Sequence, residues 1–154
     1  MDRDSAEFAA FFEEVEPRVR FALAAAYGPE CGHEGAAEAF AYAWEHWKRI
    51  RLMENPAGYV YRAGQHYAAR LKPRTGRLFQ VPVGNPEPTI EPGLSRALEK
   101  LSVRQRAAVV LIRGYGYTHR EVADLLGIRI PSVQKHLERG LAKLRSALGV
   151  TIDA

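Results

Sequence analysis

Residues 101–145 read LSVRQRAAVVLIRGYGYTHREVADLLGIRIPSVQKHLERGLAKLR, and this stretch decides the fold. It divides into three capped helices, the last two set as a helix-turn-helix. Thr118 is a natural N-cap, and Glu121 three residues on completes a capping box in which each side chain satisfies the other residue's backbone donor. Gly127 supplies the left-handed residue that ends this short helix. Pro131 falls in the first turn of the next helix, where its missing N–H has no helical partner to lose. That helix is expected to run to about Leu148, with Val133, Leu137, Leu141, Leu144 and Leu148 on one apolar stripe. Its other face carries Ser132, Gln134, Lys135, His136, Arg139 and Lys143, flanked by Arg120 and Arg129. Cationic and hydrogen-bonding side chains in the first turns of such a helix suit phosphates and base edges. The pattern predicts a DNA-reading module. The plainer alternative is a solvated amphipathic helix on an ordinary bundle.

Upstream of this stretch, Leu94, Leu98 and Leu101 lead to Ser102, which reads as the N-cap of a helix over 103–113. Residues 93–154 hold 11 Lys and Arg against 5 Asp and Glu, a net of +6, whereas residues 1–70 hold 8 against 11, a net of −3. The intervening 71–92 adds +1, completing the formal +4 of the chain. The basic excess therefore belongs to the C-terminal module, and the opposite signs of the two halves imply two different partners.

The N-terminal half reads as helical throughout. Asp4 with Glu7 opens a first helix bearing Phe8, Phe11, Phe12 and Val15, which Pro17 kinks or restarts ahead of Val19, Phe21, Ala22 and Ala25. Gly28-Pro29 stops it. A second helix over 33–51 sets Phe40, Trp44 and Trp47 on one core stripe, with Ala36 and Ala37 admitting a close neighbour. Asn55-Pro56 is an N-cap and first-turn pair that starts a third helix to about Leu71, burying Tyr59, Val60, Ala63, Tyr67 and Leu71.

Between residues 72 and 92 the periodicity fails, because Pro73, Gly76, Pro82, Gly84, Pro86, Pro88 and Pro92 interrupt every helical or strand pattern. The expectation is an all-α chain of two small helical domains, 5–71 and 94–149, joined by an irregular Pro/Gly-rich linker at 72–93. Extended at about 3.3 Å per residue, such a linker spans roughly 65 Å, so the two units need not touch.

The whole pattern resembles the extracytoplasmic-function sigma factors of bacterial RNA polymerase. The C-terminal domain is similar to sigma region 4 through Leu101, Arg104-Gln105-Arg106, Tyr117-Thr118, Glu121-Val122-Ala123, Leu126-Gly127-Ile128, Val133, Leu137, Arg139 and Leu144-Arg145. The N-terminal half resembles sigma region 2 at Glu38-Ala39-Phe40, Ala43-Trp44 and the Asn55 to Arg62 segment. Around the clamp-binding helix, where the family usually has Asp, Asp and Gln, this chain has Cys31, Glu34 and Ala37. Where the melting helix usually carries Arg-Asn, it has Gln65-His66.

The resemblance implies a non-enzymatic subunit whose partners are core RNA polymerase, at its clamp helices and flap, and promoter DNA, with an anti-sigma factor as a further candidate. It assigns Glu34, Glu38, Tyr42 and Glu45 to the polymerase clamp. Asn55, Arg62, Gln65, His66, Arg70, Lys72 and Arg74 fall to the −10 element, where cations and stacking side chains would hold a melted strand. Arg120, Arg129, Ser132, Gln134, Lys135, His136, Arg139 and Lys143 fall to the −35 element.

Two alternatives share the C-terminal pattern: a LuxR-type helix-turn-helix regulator, and a sigma-like adaptor that does not itself initiate transcription. No cofactor is expected. Cys31-Gly-His33 provides too few ligands for a metal site, and no nucleophile, base and orienting group stand at catalytic spacing. With one cysteine, no apolar run long enough to span a bilayer and no signal-peptide pattern at Met1, the expected compartment is the cytoplasm.

Overall fold

The computed structural model describes residues 2–71 and 92–149, all helix and turn. The helices are α1 (Arg3–Tyr27), α2 (Pro29–Glu45), α3 (Trp47–Ile50), α4 (Pro56–Arg70), α5 (Pro92–Glu99), α6 (Val103–Val109), α7 (His119–Leu126) and α8 (Ile130–Leu148). The centre of the expected linker, 72–91, lies outside the described residues.

Helix α1 begins two residues earlier than the sequence pattern places it, because Asp2 rather than Asp4 caps it by accepting from Ser5 N at 2.7 Å. It also runs unbroken through Pro17. The proline removes one hydrogen bond, to the carbonyl of Glu13, and that residue is exposed and open to water. Burial of Val15 and Val19 on either side of Pro17 keeps the helix continuous. At Gly28 the backbone takes φ 91°, and the chain folds back so that Gly32 of α2 packs directly on the Leu23-Ala24 backbone. On the next turn, a Cβ added at Gly35 would stand 2.9 Å from both the Ala68 side chain and the Gly64 carbonyl of α4. Small residues thus let α2 sit between α1 and α4 at backbone contact.

The single helix expected over 33–51 is broken at His46, whose φ of −115° ends α2. Its imidazole stacks on Tyr42 with ring centroids 4.0 Å apart. Because of this break the two tryptophans do not share a core stripe: Trp47 is 4% exposed, but Trp44 is 47% exposed. Asn55 caps α4 as expected, accepting from Gly58 N at 3.0 Å. The buried face of α4 is Gly58, Val60, Tyr61, Gly64 and Ala68. Tyr59, Ala63 and Tyr67, expected inside, are only partly buried. The approach of α2 through glycine and alanine turns the small-residue face of α4 inward.

In the C-terminal half both capping boxes form, Ser102 with Gln105 and Thr118 with Glu121, and Gly127 takes the left-handed φ of 68°. Helix α6 does not continue as α-helix to Arg113. It ends in a π-helical turn over Val110–Gly114, closed by Tyr115 N donating to Val110 O at 3.1 Å. Helix α8 buries Val133, Leu137, Gly140 and Leu144.

The two halves do touch. One core runs from Val15, Val19, Phe40 and Tyr61 to Leu111, Val122, Leu125 and Val133, while a second, smaller cluster joins Leu98, Leu101 and Val109 to Leu137 and Leu144. The linker length permits separation, but apolar burial between the halves favours contact.

At the crossing of α6 and α8, a Cβ on Gly140 would lie 2.7 Å from Val109 Cγ2 and 3.3 Å from the Gln105 carbonyl. Gly140→Val should therefore lower unfolding stability by about 1–3 kcal/mol despite its gain in helix propensity, a loss that urea denaturation would register.

Candidate nucleic-acid interface

Helix α8 is held from below by Val133, Leu137 and Leu144, which leaves its outer face free. On that face Gln134, Lys135, Arg139 and Lys143 are exposed, Ser132 and His136 are half-buried, and the flanking Arg120 and Arg129 are exposed. The eight side chains expected at a −35 element therefore all reach the surface. Gln134 Nε2 donates to Glu138 Oε1 at 3.3 Å, which orients its amide along the helix. Sequence reasoning missed Arg104. This exposed residue of α6 lies close enough to disfavour protonation of His136 and adds a cation from outside α8. Its only sequence signal was its place in the Arg104-Gln105-Arg106 cluster.

The −10 candidates fare differently. On α4, Arg62, His66 and Arg70 are exposed. Gln65 is tied back, its Nε2 donating to the Tyr61 hydroxyl at 3.3 Å. The Asn55 side chain is engaged at both ends: Oδ1 caps Gly58, and Nδ2 donates to the Asp124 carbonyl of α7 at 2.6 Å. In this structure the side chain therefore joins the two halves. Lys72 and Arg74 lie outside the described residues.

On α2, Glu34, Glu38 and Glu45 are exposed and Tyr42 is half-buried, forming one acidic stripe at helical spacing. The Tyr42 hydroxyl is engaged by Arg49, whose Nη2 donates to it at 3.0 Å and to the Tyr59 hydroxyl at 3.5 Å. Hydrogen bonding to Arg49 holds Tyr59 below the usual phenol range, while hydrogen bonding with Tyr59 pushes Tyr42 up. Arg49 was another omission, although it lies within the helix expected over 33–51 and seven residues after Tyr42. Cys31 is buried with Sγ 3.8 Å from the Leu71 carbonyl, while His33 is exposed, so the two do not converge.

Residues 93–144 match the family model of sigma-70, region 4. The chain as a whole takes the fold of an extracytoplasmic-function sigma factor. It superposes on the sigma factor RpoE from Bartonella quintana, solved in complex with the anti-sigma factor NepR, with a TM-score of 0.62. That match covers 95% of this chain and 99% of the other at 18% identity. No curated protein matches the chain in sequence. Among the described residues no helix is long and apolar enough to cross a membrane.

Partial burial and the nearby Arg104 and Arg139 cations hold His136 below the ordinary imidazole value of about 6.5. The unfolded chain therefore takes up this proton first. Its contribution to stability is complete above the ordinary value and is lost as the pH falls below it. NMR titration should show the depressed midpoint, Arg104→Ala should move it upward, and His136→Gln should flatten the acid side of the stability profile.

Proposed function

We propose that this chain is a transcription-initiation subunit that binds core RNA polymerase and directs it to promoters carrying −35 and −10 elements. The observation that carries this reading is the outer face of α8. Gln134, Lys135, Arg139 and Lys143 stand exposed on a capped helix-turn-helix, with Arg104 adding charge from α6. Amide and guanidinium groups in that position can reach base edges in a major groove, while Lys143 and Arg104 suit phosphates. The acidic α2 stripe of Glu34, Glu38 and Glu45 offers a separate surface for a basic partner, assigned here to the polymerase clamp. The region 4 domain is assigned to the flap. Arg62, His66 and Arg70 form a second basic cluster, on α4, that a reader of duplex DNA alone would not need. RpoE is held by an anti-sigma factor in the matched structure, and the same kind of partner is proposed for this chain.

The deciding experiment is run-off transcription by purified core polymerase on a promoter library. Transcripts dependent on this chain, with permanganate-reactive thymines at the start site, support initiation. Duplex binding without transcripts or unpaired thymines would favour an adaptor or a stand-alone regulator. His66→Ala combined with Arg70→Ala should reduce thymine reactivity while leaving −35 duplex binding intact.

At the −35 element, Gln134→Ala or Arg139→Ala should weaken binding by ~1–3 kcal/mol and relax preference at one base position, as competitive binding to base-substituted duplexes would reveal. Lys143→Ala should instead weaken all sequences alike and flatten the salt dependence. For the clamp, Glu34→Lys with Glu38→Lys should lower recovery of the chain with core polymerase while its thermal midpoint holds, since both side chains face solvent.

A further inference from the structure

Helix α8 carries a single acidic side chain, Glu138, among the cations of its outer face. Each residue of an α-helix turns by about 100°, so Gln134, Lys135 and Glu138 share the side opposite Val133, Leu137 and Leu144. Glu138 is exposed, yet among the described residues it forms no ion pair with the cations around it. Its partner is the amide of Gln134, one turn back, whose Nε2 donates to Oε1 at 3.3 Å.

A carboxylate carries the wrong charge for a surface that grips phosphates. Near a polyanion it weakens binding unless it meets a donor that offsets the repulsion. The donors of the major groove are exocyclic amines, N4 of cytosine and N6 of adenine, whereas guanine shows N7 and O6 and thymine shows O4, all acceptors. An ionised carboxylate can only accept. Adenine sets its N7 acceptor beside N6 on the same edge and so repels it, while cytosine N4 has only a C–H for a neighbour. Of the four bases, cytosine therefore suits Glu138 best.

The bond to Gln134 sets how the carboxylate is presented. Oε1 is held by the amide, which leaves Oε2 for a base, and the amide keeps its second hydrogen and its carbonyl oxygen. Each side chain orients the other before DNA arrives, so less rotamer freedom is lost on binding.

We infer that Glu138 is a specificity-determining residue of the −35 face, accepting from N4 of a cytosine on the contacted strand, with Gln134 holding it in place and reading an adjacent base pair. This rests on the −35 role given to α8 under the proposed function. It adds the chemical identity of one base and a means of rejection, because guanine or thymine at that place sets acceptor against acceptor. Removing the carboxylate should therefore improve binding to wrong sequences, the opposite sign to the loss expected at Gln134, Arg139 or Lys143.

The full chain, alone and with core polymerase, is used to select from a library of randomised duplexes, and Glu138→Ala, Glu138→Gln and Gln134→Ala are carried through the same selection. The wild-type motif should hold one cytosine preferred over each other base by about tenfold. Glu138→Ala should level that position to within about twofold, by raising affinity for duplexes with another base there, and leave the other positions in order. Glu138→Gln should shift the preference toward adenine, whose N6 and N7 fit an amide. Gln134→Ala should weaken the cytosine preference as well as its own. In the selected duplex, replacing that cytosine by 2-pyrimidinone, which lacks the N4 amine, should cost the wild type about tenfold and Glu138→Ala nothing. The weaker base pair is common to both proteins, so the difference between them reports the amine contact.

A cytosine preference that survives Glu138→Ala would overturn the assignment while leaving the −35 reading in place, as would a motif with no such cytosine. Failure of the wild type to enrich any motif, with or without polymerase, would defeat the −35 role of α8 and this assignment with it.

Discussion

The arrangement of the molecule depends on one buried cation. Arg106 is 4% exposed. Its guanidinium donates to the carbonyls of Ala25 and Ala26 at the end of α1 and to those of Leu98 and Leu101 before α6. A guanidinium taken out of water costs several kcal/mol unless its donors are met, and four carbonyls meet them here. Burial presses its pKa downward, yet arginine keeps its charge at any physiological pH. The last carbonyls of α1 have no intrahelical donors and carry the negative end of the helix dipole, so they are suited to this cation. By answering the needs of both helices the contact sets α6 against α1, which lets Leu111, Val122 and Leu125 join the core built by Val15, Val19 and Tyr61. Without it the C-terminal half would have to find another way to cover those side chains.

Charge is arranged over this single body in a way that two separate domains would not enforce. The acidic stripe on α2 and the basic face of α8 are carried by different helices of one packed unit. Such a field would repel a polyanion from the first face, draw it to the second, and orient it before any contact forms. Salt weakens that steering over distances of about 8–10 Å at physiological ionic strength. The balance between the faces matters more than the modest net charge of +4.

What could be read from the sequence was what is decided within a few residues. Ser102 with Gln105, Thr118 with Glu121, Gly127 and the first bond of Asn55 are local satisfactions of backbone donors, and each took the form its spacing implied. The exposed positions of α8 followed from the same short-range logic, since a periodic apolar stripe fixes its opposite face. What escaped was decided across the chain. Whether Trp44 or Trp47 goes inside depends on the break at His46, and Tyr61 displaces Tyr59 from the interior because α2 approaches through glycines. The second bond of Asn55 ends on a residue 69 positions away, beyond the reach of any local pattern. Arg106 looked like one more member of a basic cluster, because nothing in its neighbourhood announced that it would be buried.

The π-helical turn at Val110–Gly114 makes chain length itself a structural variable. A π turn accommodates one residue more than an α turn, and each residue of an α-helix advances direction by about 100°. Removing a single residue between Ser102 and Thr118 would let this segment relax into regular α-helix, but it would swing Tyr115 away from Phe21 and misdirect the entry into α7. Evolution can therefore vary the side chains here more freely than their number, and a one-residue deletion would do more harm than most substitutions.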